Sequence, residues 1–141
     1  EQENYQPNLT AAPGGGTVTT YKAYTLSPAS GDNVYGRIVF YKYSSKVTLV
    51  QIGLYNTDEA SSYSAAIFDG DLLDGGTETL VTLDAVDGAT GAFSASKFFT
   101  ISAEGFYDAL SDYDANVKVM LSASTVSEGD IGVNAEPVEE N

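Results

Sequence analysis

Apolar and polar residues alternate along most of the chain, in short runs that end at turn-forming residues. In VYGRIVFYKY, Val34, Ile38 and Phe40 fall on one side of an extended strand, while tyrosines and basic residues fall on the other. Similar runs are TVTTYKAYTL, VTLVQIGLY, SYSAAIF, TLVTL, FSASKFFTI and NVKVMLSA, and DIGVN follows the last of them. Because Gly, Asp, Asn and Ser separate these runs, the pattern predicts an antiparallel sandwich or barrel of short strands.

The same alternation predicts which side chains form the core. Those expected to be buried are Ile38, Phe40, Val50, Ile52, Leu54, Ile67, Val119 and Leu121. A helical spacing occurs once, in AEGFYDALSD, where Phe106, Ala109 and Leu110 fall at i, i+3 and i+4. We therefore expect one or two helical turns within residues 103–112.

The two ends of the chain lack this periodicity. Residues 1–16 contain two prolines and a triple glycine, so they are predicted to be a flexible tether. Residues 17–134 then form the single domain that a chain of 141 residues predicts, and residues 135–141 form an acidic, frayed tail.

Composition narrows the classes of function. Twenty acidic and six basic residues give a net charge of −14, which disfavours binding to nucleic acids and to anionic membranes. The chain contains neither histidine nor cysteine, which excludes a Ser-His-Asp triad, a thiol nucleophile and a histidine- or cysteine-based zinc site. No apolar run approaches the roughly 18 residues of a transmembrane segment.

Several motifs occur in an order found in a known family. They are TLSPASGDNVYGRIVFY, SAAIFDG, VDGATGAFS, YDALSDYDANVKVML and, at the end, GDIG. Their order and spacing over residues 21–133 resemble those of the CHRD domain, first described in chordin. The resemblance implies a Greek-key β-sandwich of immunoglobulin-like or superoxide-dismutase-like shape. We therefore predict an all-β, antiparallel Greek-key sandwich with one short helix.

The resemblance also has implications for function, and the chain departs from the family at two positions. Ala66 and Phe68 stand where the family pattern has histidines, so no metal role of those histidines carries over. What the resemblance implies is a non-catalytic, extracytoplasmic domain of a secreted, cell-surface or lipid-anchored protein. We accordingly expect a lipid anchor or signal sequence before Glu1.

The stretch IFDGDLLDGGTE is the strongest candidate for an ion site. Asp69, Asp71 and Asp74 stand at positions 1, 3 and 6, whereas an EF-hand loop has ligands at 1, 3 and 5. Leu73 and Leu80 occupy the fifth and twelfth positions, so that motif is absent. We expect the acids to solvate a turn and the domain to hold no cofactor, with calcium bound by a looser set of oxygens as the alternative.

Tyrosines supply the candidate contact surface. Tyr35, Tyr41 and Tyr43 share one face of a predicted strand, and Tyr55 on the next strand is expected to join them. Exposed tyrosines are typical of protein contacts and sugar platforms, although the same pattern fits an outer sheet face covered by lysine stems.

The sequence therefore favours a domain that is not an enzyme and that binds a protein partner. The alternative is a calcium-dependent adhesion or carbohydrate-binding module. A hydrolase with two catalytic carboxylates is a third hypothesis, and the placement of the acids in connections argues against it.

Overall fold

The computed structural model describes residues 20–73, 78–95 and 98–140, and the predicted tether lies outside them. The fold is all-β and largely antiparallel, with one short helix in the described part, as predicted. The strands are β1 (Tyr21–Pro28), β2 (Tyr35–Ser44), β3 (Val47–Tyr55), β4 (Ser62–Asp69), β5 (Thr79–Thr82), β6 (Val86–Asp87), β7 (Ala92–Phe93), β8 (Phe99–Ile101), β9 (Asp114–Leu121), β10 (Ser124–Gly132) and β11 (Glu139–Glu140). The helix α1 spans Phe106–Ala109 and continues as a 3₁₀ turn over Leu110–Asp112.

The strands form one sheet in the order β7-β6-β4-β9-β10-β1-β2-β3-β8. In addition, β5 pairs with β4 and β11 pairs with β1. The last long strand, β10, thus returns beside the first, β1. The outer strand of a Greek key returns in the same way, although here β4 to β9 intervene along the chain.

The sheet curls until its two ends approach each other. The Leu54 amide at the end of β3 donates a hydrogen bond to the Gly91 carbonyl, 2.9 Å away, just before β7. Gly91 has a φ of 74°, and a Cβ atom there would lie 2.2 Å from the Leu54 carbonyl oxygen. Glycine is therefore required where the sheet closes.

The core lies inside this nearly closed sheet and confirms most of the predicted list. Ile38, Phe40, Val50, Ile52, Leu54, Ile67 and Val119 are fully buried in a single cluster. Leu121 is the exception. It is only partly buried and packs against the edge of the cluster, because it is the last residue of β9.

A second, smaller cluster covers part of the opposite face of β1–β3. It consists of Tyr21, Ala23, Val39, Tyr41, Leu49 and Phe98. Phe98 comes from the segment FSASKFFTI, which alternation predicts as one strand. The segment instead contributes to two short strands, because β7 pairs with β6 whereas β8 pairs with β3.

The acidic tail is not frayed over residues 138–140, contrary to the prediction. The Val138 amide donates to the Ala23 carbonyl, and β11 then pairs with β1. Glu139 forms a 2.8 Å ion pair with Arg37 and accepts a 2.7 Å hydrogen bond from the Tyr21 hydroxyl. The side chains of Arg37 and Glu139 are each exposed by about a third, so this pair contributes little to stability by itself.

Candidate functional site

The loop after β4 folds over the outer face of β9 and β10. The Gly70 amide donates to the Asp114 carbonyl at 2.9 Å, and the Leu72 amide donates to the Asp130 carboxylate at 2.8 Å. Between these two points, Asn116 Nδ2 donates to the Gly70 carbonyl at 2.8 Å. Three hydrogen bonds therefore hold residues 70–72 in place.

This loop brings acidic groups together. Burial raises the pKa of Asp130, the Leu72 amide bound to it acts in the opposite direction, and the nearby carboxylates of Asp71 and Asp114 raise the pKa further. Asp114 also accepts a 2.9 Å hydrogen bond from Asn134 Nδ2. The region beneath the loop is thus strongly negative.

Asn116 is the unusual residue of this group. Its side chain is only 1% exposed, and its Oδ1 atom receives no hydrogen bond from the described residues. A buried acceptor without a donor costs about 1–3 kcal/mol. Sequence reasoning did not select Asn116, Asp114 or Asp130, and the available signal was weak, because each stands at an outward position of a strand where a polar residue is ordinary.

The residues predicted to bind an ion are only partly brought together. Asp71 lies in the loop beside Asp130, whereas Asp69 lines a shallow groove with Leu80, Asp112 and Asp114. Asp74 lies outside the described residues. Within the described ranges, no three acidic side chains form a group that holds a metal by carboxylates alone.

The predicted tyrosine surface is reduced to a pair. Tyr35 and Tyr55 face each other across β2 and β3, with ring centroids 4.9 Å apart and planes 31° apart. Tyr35 is 44% exposed and Tyr55 is half-buried. Asn56 follows directly, and its Nδ2 donates to the Asn33 carbonyl at 3.0 Å, which ties together the two loops beside the rings.

Tyr41 does not belong to an exposed surface, which corrects the prediction. It lies on the predicted face of β2, but Tyr21 and Phe98 pack against it with ring centroids 5.9 and 5.5 Å away. Its hydroxyl donates to Gln51 Oε1 at 2.9 Å. Tyr43 is 44% exposed but stands at the other end of β2 from Tyr35. The exposed rings therefore do not form one continuous face.

An open pocket lies beside β1, between Gly132 and the docked tail. Lys22, Tyr24, Asn134, Glu136 and Glu140 are among its lining residues. The Tyr24 hydroxyl is buried and has no hydrogen-bond partner among the described residues, although the Gly132 backbone lies nearby. Lys22 Nζ lies 4.4 Å from the centre of the Tyr107 ring. The pocket is lined by groups of both charges and does not define one class of ligand.

The tyrosines around this pocket predict loss of stability at alkaline pH. Burial raises the pKa of Tyr24 and Tyr107, and the hydrogen bond to Glu139 raises that of Tyr21. The unfolded chain therefore loses these protons first, near pH 10. The stability that the neutral hydroxyls provide is complete below about pH 10 and is lost as the pH rises above it.

We expect alkaline unfolding to accompany tyrosinate formation. Absorbance at 295 nm and far-ultraviolet circular dichroism should change together in a titration above about pH 10. Tyr107→Phe should lessen the loss of stability over this alkaline range, because it removes one hydroxyl with a raised pKa. Complete tyrosine ionisation with an unchanged dichroism spectrum would contradict this expectation.

Comparisons with protein-family models, with curated proteins and with solved structures found no match for this chain. In the part of the chain that the structure describes, no helix has the length and apolar character of a membrane span.

Proposed function

We propose that this chain is a non-catalytic, extracytoplasmic binding domain that contacts a protein partner through the Tyr35–Tyr55 pair. The observation that carries the proposal is the pairing of two accessible aromatic rings, 4.9 Å apart, at one end of β2 and β3. The resemblance to the CHRD domain supports the location outside the cytoplasm and the absence of catalysis.

The pair has the physical properties of a contact site. Each ring offers a large apolar area with a polar hydroxyl, and few side-chain torsions must be fixed on binding. The register of β2 and β3 holds the rings opposite each other, and the Asn56–Asn33 hydrogen bond restrains the adjoining loops. A partner therefore meets a surface that is already ordered.

Charge indicates what kind of protein the partner is. Of the six basic residues, four are engaged within the domain: Lys22 at Tyr107, Arg37 at Glu139, Lys42 at Asp108 and Lys118 at Phe68. The twenty acidic residues far outnumber them, so the field around the domain is negative. Such a field accelerates encounter with a basic partner and slows encounter with an acidic one.

Carbohydrate binding is the second candidate, and the same ring pair favours it. Sugar rings present apolar C–H faces that pack on tyrosine, and the two hydroxyls offer hydrogen bonds. The two candidates differ in the ligand and share the site.

Alanine substitution tests both candidates. Tyr35→Ala and Tyr55→Ala should each abolish most binding, because aromatic residues at the centre of a contact typically contribute about 2 kcal/mol or more. Tyr43→Ala is the matched control, since Tyr43 has the same 44% exposure as Tyr35 and lies at the other end of β2.

The binding assay has two arms. The first measures retention of proteins from the source organism's cell surface on immobilised domain, followed by affinity measurement with the purified partner at two salt concentrations. The second uses an array of oligosaccharides. Binding that survives both tyrosine substitutions contradicts the site, and binding to sugars alone favours the second candidate.

A further inference from the structure

The arrangement beneath the loop of residues 70–72 has a feature that the tyrosine pair does not explain. The register of the sheet places Asn116 of β9 directly opposite Asp130 of β10. Directly opposite residues project on the same face with their Cβ atoms about 4.5–5.5 Å apart. Asp114 lies two residues earlier on the same face of β9, and Asp71 lies in the loop that crosses above it.

The Asn116 amide supplies an observation independent of the acidic charge. Its Nδ2 is turned to the Gly70 carbonyl, which follows β4. Because the amide is planar, Oδ1 is directed to the other side, where β10 and Asp130 lie. This oxygen is buried and has no donor among the described residues. It therefore lies beside carboxylates with nothing positive to pair with, an arrangement that a bound cation would satisfy.

The described surroundings do not supply that cation from the protein itself. Lys118 lies on the same face of β9, two residues beyond Asn116, but its Nζ is held 5.6 Å from the centre of the Phe68 ring. Asp114 accepts a hydrogen bond from Asn134, and Asp130 accepts one from Leu72, and both donors are neutral.

We propose that Asn116, Asp130, Asp71 and Asp114, together with the Gly70 carbonyl, bind one calcium ion. Carboxylate, amide and carbonyl oxygens are the ligands of hard cations, and calcium accepts six to eight of them in irregular geometry. Magnesium is less suited, because it requires near-ideal octahedral geometry at shorter distances. The Gly70 oxygen retains a second lone pair beside its bond to Asn116.

This site differs from the one that the sequence predicted. Carboxylates alone do not form a metal group in the described residues, and the amide oxygen of Asn116 is what distinguishes this position from an ordinary acidic loop. Since the tyrosine pair belongs to β2 and β3, failure of the calcium site leaves the proposed function untouched, and the reverse also holds.

The test is a calcium titration of the whole chain after removal of metals with a chelator. A ligand that binds only the folded state raises the melting temperature continuously with its logarithmic concentration above its dissociation constant. We expect calcium to do so beyond the effect of magnesium or sodium at equal ionic strength. These controls are needed because any salt screens the repulsion in a chain of charge −14.

Two variants locate the effect. Asp130→Asn keeps an acceptor for the Leu72 amide and removes one ligand charge, so the apparent dissociation constant should rise about tenfold or more. Asp32→Asn removes the same charge from an exposed turn between β1 and β2 and should leave calcium affinity nearly unchanged.

Nuclear magnetic resonance gives a readout that does not depend on stability. Calcium should shift the Leu72 backbone amide and the Asn116 side-chain amide with the same apparent affinity as the calorimetric titration. A calcium effect equal to that of magnesium, or a full effect retained in Asp130→Asn, would overturn the site.

Discussion

Replacing Ile52 with alanine is expected to lower the free energy of unfolding by about 2–5 kcal/mol. Ile52 is fully buried, lies in the main cluster and is directly opposite Ile38 in the register of β2 and β3. The substitution removes apolar area and leaves a cavity between two strands that cannot move together, because their backbones are joined by ladder hydrogen bonds. Urea unfolding followed by circular dichroism measures the change.

Leu121→Ala is the comparison for this prediction. Leu121 is an aliphatic residue of the same size, but it is only partly buried at the end of β9, so the loss should be clearly smaller. An Ile52→Ala cost of less than about 1 kcal/mol, below the range for buried isoleucine, would contradict the core described above.

Replacing Gly91 with alanine is expected to have a comparably large effect. The left-handed backbone at φ 74° costs an L-residue about 1–2 kcal/mol. The added Cβ would also lie 2.2 Å from the Leu54 carbonyl oxygen, so the backbone must shift at the position where the sheet closes. Overpacking of this kind adds about 1–3 kcal/mol.

Gly31→Ala separates the two contributions. Gly31 also has a positive φ, of 85°, but nothing in the described structure lies within 4 Å of the Cβ atom that alanine would add. It should therefore show the cost of the backbone conformation alone. Equal losses in the two variants, measured by urea unfolding, would show that β3 and β7 do not approach each other as closely as described.

Alternation determined the fold class and most of the core. Apolar residues repeat with a period of two in β2, β3 and β9, and a strand with that pattern has one way to bury its apolar face. Ile38, Phe40 and Ile52 were predicted from this pattern and are buried. Leu121 follows the same pattern but is only partly buried, because alternation does not show where a strand leaves the core.

Composition by itself determined part of the chemistry. Without histidine or cysteine, the chain lacks the side chains of several common catalytic and metal centres, wherever its strands lie. Its acidic excess is likewise independent of the fold. These are properties of the side chains present and do not depend on which of them meet.

Only the tertiary structure decided which of the outward-facing residues are accessible. Tyr35, Tyr41 and Tyr43 are equivalent by alternation, yet Tyr41 is buried because Phe98 and Tyr21 reach it from other parts of the chain. The tail docked on β1 is another such contact, since Glu139 meets Arg37 across about 100 residues of sequence.

The candidate calcium site depended on strand register, which the sequence did not reveal. Asp71, Asn116 and Asp130 are far apart in the chain, and each is unremarkable at its own position. Pairing of β9 with β10 puts Asn116 opposite Asp130, and the loop after β4 covers both. Local patterns report which face of a strand a residue occupies, but its neighbours on that face are set by the pairing of distant strands.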